Sequence, residues 1–167
     1  STKEYTVVLT QKAAAASGET LVVELDPSSA GDNLCDGFPN TTTGAKGPDT
    51  YTIDGYEYTF YAPDKYAYYP KDKYVLWGKQ GGYVLLPAVQ GKKLVKVSIL
   101  TGKGASTSVQ VGVYTEDGSV IHAPKTLNAT NETFDYELTG TEINTKYKFQ
   151  IASKHNGQFQ KLTLYYE

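Results

Sequence analysis

The sequence predicts an all-β protein, a jelly-roll-like antiparallel β-sandwich built from one domain over residues 1–167. Three observations predict it. Short runs alternate apolar and polar residues with the two-residue period of a strand that has one buried and one wet face, as Val95, Val97 and Ile99 do against Lys96 and Ser98. The chain is rich in strand formers, with 15 Tyr and 5 Phe beside many Val and Thr, and 16 Gly and 7 Pro break it at short intervals. About ten to twelve such runs follow one another with no repeat and no linker, and two face-to-face sheets are the economical way for so many strands to manage their edges.

The elements follow in order. Residues 5–9 (YTVVL) and Leu21–Leu25 (LVVEL) read as strands. Between them the alanine run 13–16 allows no more than a helical turn before Ser17-Gly18 stops it, and Asp26-Pro27 ends the second strand. Residues 26–50 form the least regular stretch, rich in Gly, Asn, Asp, Thr and Ser, and a loop this long is usually functional, flexible or ion-bound. Asp26, Asp32 and Asp36, with Asn33, supply oxygen donors for a structural calcium ion; they do not follow EF-hand spacing, and such residues also favour plain turns.

In residues 51–61, YTIDGYEYTFY, Asp54-Gly55 between alternating segments predicts a hairpin whose two-residue turn has positive φ, with Tyr56, Tyr58 and Phe60 facing the core. Residues 62–73, APDKYAYYPKDK, differ in kind. Pro63 and Pro70 argue against a regular interior strand, the flanking Lys and Asp want water, and Tyr66, Tyr68 and Tyr69 are therefore the rings least claimed by the core. Residues 74–100 organise the rest as three short strands joined by two tight glycine-containing turns. Trp77 stands just before Gly78-Lys79-Gln80-Gly81-Gly82, and Pro87 closes the middle strand. Val109, Val111 and Val113 then alternate, Asp117-Gly118 marks a second hairpin, and 134–138, Tyr147–Ile151 and the Leu162, Leu164, Tyr166 series complete the set. His155-Asn156-Gly157 is the turn between the last two strands.

Composition excludes several functions. The net charge is −2 and every one of the 16 basic residues is Lys, scattered among acids, which argues against nucleic-acid readout and against a buried arginine clamp. No apolar run approaches the roughly 20 residues that span a bilayer. The absence of Met predicts a mature or trimmed piece whose targeting segment has been removed. Cys35 stands alone, reads as a small buried or half-buried thiol, and leaves the redox compartment open. For catalysis, His122 and His155 fit no zinc-ligand spacing, and no nucleophile elbow, Walker loop or dinucleotide fingerprint occurs. A carboxylate pair for glycoside hydrolysis needs a spatial separation that sequence does not specify, so no enzyme is predicted.

The runs GGYVLLPAVQGKKLVKVSI, VQVGVYTEDGS and YKFQIASKHNGQFQKLTLYY, with GYEYTF and LWGKQGG before them, resemble the galactose-binding-like jelly-roll domains of surface and secreted proteins of gut anaerobes. The resemblance covers residues 50–167. It implies a non-catalytic accessory domain outside the cytoplasm, often binding carbohydrate, with a structural calcium in many relatives. Sugar binding needs flat apolar faces and convergent polar groups. Tyr66, Tyr68, Tyr69 and Trp77, with Lys79 and Gln80, supply both types, although a Tyr-rich sandwich also spends many rings in its core. An adhesion or assembly module that meets protein through the same aromatics is the alternative.

Overall fold

Nearly every alternating run that meets a turn signal has become a strand. The structure, a computed structural model, describes residues 18–167; the strand expected at 5–9 and the helical turn at 13–16 lie outside the described residues. Twelve strands follow in order: β1 (Leu21–Leu25), β2 (Asp49–Ile53), β3 (Tyr56–Tyr61), β4 (Lys65–Tyr69), β5 (Tyr74–Gly78), β6 (Tyr83–Leu86), β7 (Leu94–Thr101), β8 (Gln110–Thr115), β9 (Val120–Thr126), β10 (Thr133–Glu137), β11 (Tyr147–Ile151) and β12 (Gly157–Tyr166). One sheet has the order β10-β7-β12-β5-β4, with β1 also on β12, and the other the order β2-β3-β6-β11-β8-β9. The protein is an all-β sandwich. Trp77 of the first sheet meets Phe149 of the second with ring centroids 6.1 Å apart, and Phe159 packs on Trp77 at 5.6 Å.

Tyrosines tie the layers together. The Tyr136 hydroxyl donates to the Val111 carbonyl at 2.9 Å and the Tyr166 hydroxyl to the Pro87 carbonyl at 2.6 Å, so each ring fills core while its polar tip is satisfied. Burial pushes both phenols well above their ordinary range.

The Asp54-Gly55 hairpin forms as expected, with φ of 51° and 85° at its two turn residues. Tyr58 and Phe60 then enter the core while Tyr56 packs half-buried against it. The three strands and two turns expected in residues 74–100 form, and each turn carries the chain from one sheet to the other, because β5 and β7 lie in one sheet and β6 in the other. The same holds for His155-Asn156-Gly157, which carries the chain from β11 in the second sheet to β12 in the first. Alternation reports which face of a strand is buried, and both sheets bury their inner faces in one core. In β7 the inward series is Leu94, Val97 and Ile99, with Val95 only half-buried. The cause is a register shift: Tyr165 pairs with Lys96 but Tyr166 with Leu94, so Val95 is the extra residue of a bulge.

A further correction bears on function. Residues 62–73 are no loop: β4 occupies their centre, with Pro63 and Pro70 just beyond its ends. It is the last strand of its sheet, and the stretch 26–50 covers its outer edge. Ala45 and Tyr66 exchange backbone hydrogen bonds of 3.1 and 2.7 Å, and the Tyr68 N–H donates to the Pro39 carbonyl at 2.8 Å. The irregular stretch thus satisfies an edge that would otherwise be open to pairing with another chain.

Candidate functional site

The pairing of β4, β5 and β12 decides which aromatics are available. Tyr66 pairs with Trp77 and Trp77 with Gly157, and Tyr68 pairs with Val75 and Val75 with Phe159. These rows face inward, and Tyr66, Tyr68 and Trp77 are each 0% exposed. The expected ring platform at Tyr66, Tyr68 and Trp77 is therefore corrected: the period of two that exposes Tyr69 buries its neighbours. The hydroxyls of the two tyrosines are spent as well. Tyr68 donates to the Gly31 carbonyl at 3.0 Å, while Tyr66 donates to the Asp49 carboxylate and lies 2.6 Å from the Tyr51 hydroxyl. Burial first, then those two partners, hold the Tyr66 phenol far above its ordinary value.

The opposite face of the same strands is different. There Ala67, Leu76 and Gln158 form one cross-strand row, and Tyr69 and Tyr74 the next. Tyr69 and Tyr74 stack with centroids 4.6 Å apart and planes 13° from parallel, and the Lys65 ammonium stands 5.6 Å from the Tyr69 centroid. Both rings are half-buried. Burial, then Tyr69 and Asp72, raise the Tyr74 phenol.

Beyond this pair two hollows adjoin at Gly104. One, of about 320 Å³, is lined by Tyr74, Asp72, Lys103 and Gly104. The other, of about 340 Å³, is lined by Lys79, Gly104, Ser106, Lys154, His155, Asn156 and Gln158. Three connections converge on it: the turn after β5, the β7–β8 loop and the crossing from β11 to β12. Of the five buried side-chain polar atoms without a partner among the described residues, three belong here: His155 Nδ1, Asn156 Oδ1 and Gln158 Oε1. Glycines let these amides sit where they do. A Cβ on Gly78 would lie 2.0 Å from Asn156 Oδ1, and one on Gly102 would lie 2.5 Å from Gln158 Oε1. Below them the Trp77 ring lies so close to Gly157 that a Cβ there would meet ring atoms at 2.6 Å. Buried polar groups are ordinarily paired, so three orphans around one cavity describe a surface shaped for something that brings hydrogen bonds with it.

Of the six candidate binding residues, Tyr69, Lys79 and Gln80 remain at the surface, with Lys79 lining the hollow. Sequence reasoning missed Tyr74, His155, Asn156 and Gln158. The signal that was present is the polar side chain at 158, which lies in an outward-facing row of a strand whose later Leu162, Leu164 and Tyr166 are core. The calcium expectation is also corrected. Asp26 caps the 3-10 turn Pro27–Ser29, accepting from the Ser28 N–H at 2.9 Å, and lies 3.5 Å from the Lys161 ammonium. Burial pushes its carboxyl up, but the Ser28 bonds and Lys161 outweigh that and leave it below the ordinary value. Asp32 and Asp36 stand exposed, and no three His, Cys, Asp or Glu side chains among the described residues gather as a metal ion requires.

No protein family matches this chain by its sequence profile, and no curated protein matches it. A similar solved structure is a low-affinity xylan-binding module, CBM86, from the xylanolytic gut symbiont Roseburia intestinalis. The TM-score is 0.42 at 11% identity, over 90% of this chain and 97% of that one. At that score and identity nothing about a ligand passes from that module to this chain. No carboxylate lines the 340 Å³ hollow among the described residues. The other histidine, His122, sits apart, its Nδ1 2.7 Å from the Ala123 carbonyl and its ring against Tyr136.

Proposed function

We propose that this protein is a non-catalytic carbohydrate-binding module of the galactose-binding-like type, belonging to a secreted or surface protein. The Tyr69–Tyr74 pair serves as apolar platform and the hollow beyond Gly104 as polar pocket. The observation that carries the reading is the convergence of three unpartnered buried polar atoms on one hollow beside a stacked tyrosine pair. A pyranose offers a C–H face that packs on an aromatic ring and hydroxyls that both donate and accept. With the face on Tyr74, its hydroxyls donate to Asn156 Oδ1 and Gln158 Oε1, while the Lys79 and Lys154 ammonium groups donate to its oxygens. The protein then gains hydrogen bonds that its own fold leaves unmade, which is where binding free energy is available without new strain. The tyrosines are held by strand pairing and stacking, so little is lost in ordering them on contact.

The test is a glycan array followed by calorimetry on the best hit. Tyr74→Ala and Asn156→Ala are each expected to weaken binding about tenfold, the scale of a lost stacking or hydrogen-bonding contact, with an unchanged melting curve. Binding that survives both changes would place the sugar elsewhere and overturn the assignment.

A further inference from the structure

Six lysines of this chain have an ionic or hydrogen-bonding partner within the described residues. Lys96 pairs with Asp135 at 2.9 Å and with Glu137 at 3.4 Å, and Lys161 lies 3.4 and 3.5 Å from Glu24 and Asp26. Lys73, Lys92, Lys125 and Lys148 donate to backbone carbonyls. Lys46, Lys71, Lys93 and Lys146 have no such partner within the described residues, and neither do the lysines around the paired hollows. Lys79, Lys103 and Lys154 make neither an ion pair nor a side-chain hydrogen bond within the described residues, and all three are exposed. Two of them line the hollow that holds the orphaned His155, Asn156 and Gln158 atoms, where no acid faces them. The third lies across Gly104 in the neighbouring hollow, which Asp72 also lines. Gln158 is 9% exposed, so its unpartnered oxygen is a buried group and not a solvated surface amide.

The 340 Å³ hollow thus has two ammonium groups and no carboxylate in its lining, and a cleft lined by charge of one sign attracts the opposite charge. In a chain with an overall charge of −2, that local positive charge beside three unpartnered buried polar atoms sets this hollow apart. We propose that the preferred ligand is an acidic glycan, a sugar chain bearing carboxylate or sulfate groups, whose anion sits between Lys79 and Lys154 while a neighbouring sugar ring rests on Tyr74. This rests on the carbohydrate reading above and narrows it. An anion between two ammonium donors forms charge-assisted hydrogen bonds, about twice as strong as neutral ones. The exposed position makes the contribution sensitive to salt, because separated surface charges are screened over about 8 Å at physiological ionic strength.

The experiment uses two matched pairs of polymers: polygalacturonate against its methyl ester, and dextran sulfate against dextran. Affinity is measured at low and at high salt, with a glycan array covering neutral, uronate and sulfated sugars alongside. The charged member of at least one pair is expected to bind about tenfold tighter at low salt. That preference disappears in high salt and in the Lys79→Ala, Lys154→Ala double variant, whose melting curve stays that of the parent because neither side chain makes an ion pair or hydrogen bond within the described residues. The pair that discriminates tells carboxylate from sulfate. Equal binding of charged and neutral members, lowered in both by Tyr74→Ala, overturns the acidic preference and keeps the carbohydrate reading. Charged binding that persists in the double variant places the anion elsewhere and overturns the proposal. No binding to any polymer or array sugar overturns both readings, and tight binding of polyglutamate in their place points to an acidic protein partner.

Discussion

Two hollows among the described residues, a larger one beneath the irregular stretch and the smaller one assigned to the ligand, make opposite use of their polar groups. The larger, about 710 Å³, lies between the stretch that covers β4 and the ring of Tyr51, with Cys35, Phe38 and Thr43 in its lining. None of the unpartnered buried polar atoms belongs to that lining. The Tyr51 and Tyr66 hydroxyls and the Asp49 carboxylate satisfy one another beside it, and Phe38 packs edge-on against Phe60 with centroids 5.0 Å apart. Burial, and then Asp36, push the Cys35 thiol up, which disfavours the thiolate. The hollow at Gln158 has about half that volume and three polar atoms with nothing to bond. Volume follows how loosely an irregular stretch lies on a sheet, and the ligand assignment proposed above rests on the unmet hydrogen bonds and not on size.

Three substitutions sharpen or break this contrast. The largest effect is expected from Gly157→Ala, beneath the smaller hollow. The added methyl would stand within 2.7 Å of Trp77 ring atoms, and overpacking a rigid ring costs about 1–3 kcal/mol. Asn156 and Gln158 would shift with it, so both the denaturation midpoint and glycan affinity should fall; an unchanged midpoint would show that Trp77 is not clamped as described. Next comes Tyr66→Phe, beside the larger hollow. Losing a buried hydroxyl that donates to Asp49 and contacts Tyr51 should cost about 1–2 kcal/mol in urea unfolding and leave glycan affinity untouched. A drop in affinity there would move the site to the larger hollow. The smallest stability change is expected from Gln158→Leu, and its sign is the informative part. Removing an acceptor that the fold leaves unpaired should raise stability by up to about 1 kcal/mol while weakening glycan binding about tenfold. Destabilisation instead would mean that Gln158 serves the fold and not a ligand.

Much of the sandwich was legible because local chemistry is enough to write it. Asp54-Gly55 supplies two positive φ angles, which only one tight hairpin geometry uses. Val111, Val113, Phe149, Ile151, Leu162 and Leu164 alternate with polar neighbours and all reach the core. The site was less legible. Tyr66, Tyr68 and Tyr69 are the same residue type within four positions, and the lysines and prolines around them read as a wet loop. Only the pairing of β4 with β5 reveals that two of those rings are core and the third is surface. Likewise the polar pocket draws on residues 79, 104, 106 and 154–158, which no local pattern links.

By itself the sequence determined that the chain is all-β, where most of its strands begin and end, and which face of nearly every strand is apolar, because a two-residue period and turn chemistry act between near neighbours. Tertiary structure alone decided which sheet each strand joins, which tyrosines reach water, and which amide oxygens are left without a partner. Those outcomes depend on contacts between residues far apart in the chain, and a strand looks the same to its neighbours in sequence whichever sheet it enters.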